Sequence, residues 1–65
     1  MQIILNGKAA TCNNINTVED LLNQLRIDGQ LAVEINHKII PRSKYNTQKV
    51  NSGDVIEIVH AVGGG

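Results

Sequence analysis

Apolar and polar positions alternate in short runs along most of the chain, with one interruption at helical spacing. Gln2 to Leu5 reads as a strand, and Asn6-Gly7 behind it is a two-residue hairpin signal because both residues accept positive φ. The returning strand is expected from about Lys8 to Cys12. With a side-chain period of two, Met1, Ile3 and Leu5 share the face assigned to the core, and Ile4 points the other way. Asn13 to Asn16 is polar and turn-like. Thr17 then opens a helix as its cap, with Glu19 and Asp20 suited to the positive end, although Asp20 is a weaker partner for a reciprocal capping box than Glu or Gln. Val18, Leu21, Leu22 and Leu25 fall at i, i+3, i+4 and i+7, one apolar stripe. Asp28-Gly29 is the predicted helix end.

Leu31 to Asn36 is the next strand, with Leu31, Val33 and Ile35 inward. It turns at Asn36-His37 into the short pair Ile39-Ile40, which Pro41 stops. Residues 42–48 are irregular, and Tyr45 covers an edge of the core. Asn51-Ser52-Gly53-Asp54 is a turn. Val55 to His60 forms the final strand, with Ile56 and Ile58 on one face and Val55, Glu57 and Val59 on the other. A hairpin, one helix and two or three further strands predict an α+β fold, a ubiquitin-like β-grasp. Its four- or five-stranded mixed sheet carries the helix on one face and leaves the other open. The domain is expected over 1–61, with 62–65 as a flexible glycine tail.

Composition narrows the function. An apolar fraction of 42% supports a folded chain, but Tyr45 is the only aromatic, so the core is aliphatic. Lone Cys12 excludes an internal disulfide, which favours a cytoplasmic setting. Lys and Arg balance Asp and Glu at six each. There is no basic surplus or aromatic platform for nucleic acid, and no apolar run suited to a membrane. The two histidines, Cys12 and six carboxylates show no compact ligand spacing, so no metal site is expected. Cys12 reads as a semi-buried, inert thiol and His37 as a solvated turn residue. His60 is either an ordinary strand-end residue or an aid to a partner at the tail. No phosphate-cradling glycine loop occurs, and 65 residues leave little room for a substrate pocket. No catalytic residue is assigned.

The end of the chain has a different character. Ala61-Val62-Gly63-Gly64-Gly65 follows the last strand, and three glycines contribute no packing. They do leave a carboxylate that a narrow channel could admit. Ordering them would cost roughly 3–6 kcal/mol of backbone entropy, which docking of the folded body must offset. A frayed terminus is the plain alternative.

Taken together, the Met1-to-Gly7 start, the Thr17 helix, Asn36-x-x-Ile39-Ile40-Pro41-Arg42-Ser43, Gly53-Asp54-Val55-Ile56-Glu57-Ile58-Val59 and the terminal Val62-Gly63-Gly64-Gly65 resemble the ThiS family, the sulfur carriers of thiamine biosynthesis. The likeness spans nearly the whole chain and departs at Asn36-His37, where members often have Asn-Gly. It implies a protein co-substrate rather than an enzyme, with no tightly bound cofactor. A ubiquitin-activating-like adenylyltransferase (ThiF type) would spend ATP to adenylate the Gly65 carboxylate. Sulfur from a cysteine-derived persulfide would make it a thiocarboxylate, which thiazole synthase (ThiG type) would consume. Gly64 and Gly63 would give access. Ile4, Val55 and Val59 on the open face, with Ala61 and Val62, would form the docking patch, unless the three strand residues are merely scattered surface hydrophobics. Alternatives are a carrier for molybdopterin or cysteine synthesis, a protein-conjugating modifier, and a plain ubiquitin-like binding module.

Overall fold

The computed structural model describes residues 1–60. Five strands form one sheet, β1 (Gln2–Leu5), β2 (Lys8–Thr11), β3 (Leu31–Ile35), β4 (Lys38–Ile40) and β5 (Val55–His60), in the order β2-β1-β5-β3-β4. β1 and β5 run parallel at the centre, and the other neighbours are antiparallel. The expected mixed sheet is present with five strands. One helix, α1 (Val18–Leu25), lies on one face, and a short 3-10 turn spans Arg42–Lys44. Among the described residues no helix is long and apolar enough to cross a membrane.

The stripe prediction holds where packing is tightest. Val18 and Leu21 are fully buried and Leu22 nearly so, against Ile3, Val33, Ile35, Ile56 and Ile58 from the sheet. Burying each such aliphatic side chain is worth about 1.5–3 kcal/mol, so this cluster supplies most of the driving force. Two core residues come from outside the predicted strands and helix: Ile15, in the stretch read as polar, and Val50, between the irregular segment and the Asn51 turn, are buried. Val50 arrives because residues 42–50 wrap under the helix start, next to the stretch that holds Ile15. The carbonyls of Gln48 and Tyr45 accept from the N–H groups of Val18 and Glu19 at 3.0 and 2.9 Å, and Val50 N–H donates to the Asn16 carbonyl at 2.9 Å. The first two bonds satisfy helix donors that would otherwise lack partners. Tyr45 is half-buried against the core, its hydroxyl donating to the Leu31 carbonyl at 3.3 Å.

Both helix ends differ in detail from expectation. Asp20 completes a full capping box: its carboxylate accepts from Asn16 and Thr17 N–H at 2.9 and 3.1 Å, while its own N–H donates to Thr17 Oγ1 at 3.3 Å. The aspartate serves as well as a longer acid because it also gathers the N–H one residue before the cap. The helix stops at Leu25 rather than at Asp28-Gly29, since Arg26 takes the left-handed conformation at φ 57°. Arg26 N–H then donates to Asn23 and Ile27 N–H to Leu22, a Schellman closure made without glycine. Met1 also departs from its core assignment, with 38% exposure. Its ammonium donates to the Cys12 carbonyl at 2.8 Å at the sheet margin, where a charged group keeps its hydration.

Candidate functional site

The sheet face away from α1 is set by register. Ile4 stands opposite Ala9 on β2 and Val55 on β5, Val59 opposite Ala32, and Glu57 opposite Glu34, which also faces Ile39 on β4. Side chains directly paired in this way share a face. Ile4 is 37% exposed, Val59 57% and Ile39 74%, while Val55 is half-buried. The three described docking candidates therefore do lie on the open face, but Glu57 separates Val55 from Val59. Ile39 belongs to the same face and is absent from the expected patch. Alternation alone could have found it: in Lys38-Ile39-Ile40, Ile39 points opposite to Ile40, which packs on the core.

Two asparagines fix this face by bracketing β5. Asn6 donates from Nδ2 to the Ile58 carbonyl at 3.1 Å and accepts from Ile58 N–H at 2.8 Å, so its amide imitates one more residue of a β1 ladder. Asn36 grips the start of the strand. It accepts from Val55 N–H at 2.9 Å and donates to Asp54 Oδ1 at 3.1 Å. Each is free to do so because each begins a two-residue hairpin turn, Asn6-Gly7 and Asn36-His37, in which both residues have positive φ.

Among the remaining candidates, Cys12 is more deeply buried than the semi-buried reading, at 3% exposure, and forms no disulfide. His60 is exposed at the end of β5, in register with Leu31. His37 is exposed in its turn, as expected, but it is not isolated. Its imidazole and the carboxylates of Glu34 and Glu57 present ligand atoms within 4.8 Å of one another. Linear spacing could not reveal this, because Glu57 comes from a separate strand through the β3–β5 register. Asp20 has its carboxyl held below the usual carboxylate range by the Asn16 N–H, then the Thr17 N–H. It lies at the helix start, remote in sequence from this face. A shallow depression of about 210 Å³ lies on the helix side, lined by Leu22, Ile27, Leu31, Arg42 and Tyr45 among others. It is smaller than typical small-molecule pockets. Ala61, Val62, Gly63, Gly64 and Gly65 lie outside the described residues.

Among the described residues, a five-stranded mixed sheet clasping one helix on one face, with β5 at its centre, is the form of a ubiquitin-like β-grasp domain. The chain belongs to the ThiS family, whose model matches residues 3–65. It is 40% identical to the sulfur carrier protein ThiS of Bacillus subtilis, covering 94% of this chain and 96% of that one. It is also 42% identical to part of a thiazole synthase of Paramagnetospirillum magneticum, where all of this chain corresponds to only 20% of that protein. The crystal structure of the thiamine biosynthesis protein ThiS from Geobacter metallireducens superposes with a TM-score of 0.86 at 29% identity, covering both chains fully.

Proposed function

We propose that this chain is a sulfur carrier for thiamine biosynthesis and works as a protein co-substrate. Gly65 is its reacting residue. A carboxylate is a poor electrophile because its charge is delocalised and oxide is a poor leaving group. Attack of the carboxylate oxygen on the α-phosphorus of ATP, with loss of pyrophosphate, gives an acyl-adenylate. A ThiF-type adenylyltransferase supplies this activation. Sulfur from a cysteine-derived persulfide then attacks the acyl carbon and AMP departs. The resulting acyl disulfide is cleaved by a thiol to leave the thiocarboxylate. A ThiG-type thiazole synthase takes that sulfur, and the carboxylate is regenerated.

The observation that carries this reading is the span of the family match. It runs from Ile3 through the folded body to Gly65 and so takes in the glycine end as well as the fold. The thiazole synthase that contains a ThiS-like stretch supports a ThiG-type partner. Ile4, Val55 and Val59, with Ala61 and Val62, are the proposed docking surface, and Gly63 and Gly64 the slender approach to Gly65. Domain bounds of 1–61 and 62–65 and a cytoplasmic location complete the proposal.

Mass spectrometry of the untagged chain tests it, after incubation with the adenylyltransferase, ATP and a sulfur donor. Exchange of oxygen for sulfur localised to Gly65 is expected. An amide link from Gly65 to target lysines, with no thiocarboxylate formed, would instead indicate a conjugating modifier.

A further inference from the structure

We infer that Glu34, His37 and Glu57 form a binding site for a divalent transition-metal cation of the zinc type on the open sheet face. The inference rests on the geometry of these three side chains and stands independently of the sulfur-carrier reading.

The site is built by the sheet. Glu34 on β3 and Glu57 on β5 are direct partners in the antiparallel register, so both carboxylates project from one face at neighbouring positions. Two like charges placed opposite each other across strands repel, and the arrangement is unfavourable unless something positive lies between them. Glu34 is half-buried, which reduces the water available to screen it. His37 completes the group. Asn36 and His37 take φ values of 51° and 70°, and this tight turn returns the chain beside the pair. The three ligand atoms then fall within 4.8 Å of one another.

The donor set selects the class of ion. One imidazole nitrogen with two carboxylate oxygens suits zinc and its neighbours, whereas magnesium and calcium prefer oxygen donors alone. Tetrahedral zinc holds its ligands at about 2.0–2.2 Å, which places ligand atoms roughly 3.4 Å apart. The three groups must therefore close by up to about 1.4 Å, a movement within reach of rotating side chains of which two are exposed. Three protein ligands leave a fourth position for water or a partner's donor. The position on the sheet gives such an ion a consequence. Glu57 lies between Val55 and Val59, and Glu34 beside Ile39, so covering this face buries both carboxylates. Burying unpaired charges is strongly unfavourable, and a bound cation neutralises them.

Titration of the full-length chain with Zn²⁺ alone, followed by calorimetry and by NMR of the imidazole and carboxylate side chains, tests the assignment. One equivalent is expected to bind and to shift the His37, Glu34 and Glu57 signals, with no matching response to Mg²⁺. His37→Gly and Glu57→Gln should each weaken binding by about tenfold or more. Glycine is well accommodated at the φ of His37, so His37→Gly keeps the turn, and an unchanged backbone amide spectrum elsewhere shows that the fold is retained. Three results would overturn the site: no response up to about 1 mM Zn²⁺, shifts centred on His60 or Cys12, or equal affinity in the His37→Gly variant.

Discussion

The two faces of the sheet are made from the same five strands and follow different rules. The centre of the face under α1 is aliphatic: Ile3, Val33, Ile35, Ile56 and Ile58 are all at or below 6% exposure, and Lys8, Lys38 and His60 stand only at its exposed margins. The opposite face mixes Ile4, Val55, Val59 and Ile39 with the facing carboxylates of Glu34 and Glu57. The first arrangement is what folding requires. The second is not, since Val59 and Ile39 gain little burial in the isolated domain and two paired carboxylates repel. What folding does not explain on the open face is the part available for function.

Substitutions break this contrast in a graded way. Leu21→Ala removes a fully buried side chain and should cost about 2–5 kcal/mol, read by chemical denaturation. An effect below about 1 kcal/mol would mean that the helix-covered face is not the core. The two hairpin turns come next. Gly7 has φ +83°, and the space where a methyl group would stand is open, so Gly7→Ala meets only backbone strain and should cost about 1–2 kcal/mol. At the equivalent site of the second hairpin the change runs the other way. His37→Gly should stabilise by about 0.5–1 kcal/mol, the relief of left-handed strain less the extra entropy of an unfolded glycine. The left-handed backbone at His37, where glycine fits better, is the kind of local strain that motivates assigning its side chain a function.

The capping box gives a pH-dependent test. The Asp20 pKa is lowered in the folded state, so the fold favours its charged form and gains stability above the unfolded value. That gain is lost as pH falls below roughly 4 and through the folded pKa. The stability difference between the native chain and Asp20→Asn should therefore shrink on acidification in denaturation curves. A difference that grows would contradict the box. Val59→Asp should cost only about 1 kcal/mol, since Val59 is 57% exposed while Asp is disfavoured in a strand and joins Glu57 on the same face. Binding to the adenylyltransferase should nevertheless weaken by about tenfold, measured by titration.

The strands, the helix stripe and the cap were legible in the residues because each depends on local periodicity or local hydrogen bonding. Most of what escaped was non-local, the helix end at Arg26 and the face of Ile39 being the local exceptions. Ile15 and Val50 look like loop residues until residues 42–50 wrap beneath the helix, and the approach of Glu57 to Glu34 and His37 depends on register between separate strands. Arg26 ends the helix early because a Schellman closure needs a left-handed residue and not necessarily a glycine. The open-face position of Ile4 and Val59 followed from alternation alone. Placing Ile39 beside Glu34 required knowing that β4 pairs with β3.

The most direct test of the open face as the docking surface of a sulfur carrier compares initial rates of thiocarboxylate formation at Gly65 under limiting adenylyltransferase. Native chain, Ile4→Asp and Val59→Asp would be measured beside Asn23→Asp, a change to an exposed residue on the helix side. Thiocarboxylate is expected on the native chain, with about tenfold slower formation in both open-face variants and a native rate for Asn23→Asp. Equal rates in all four, or no thiocarboxylate on the native chain, would contradict that role.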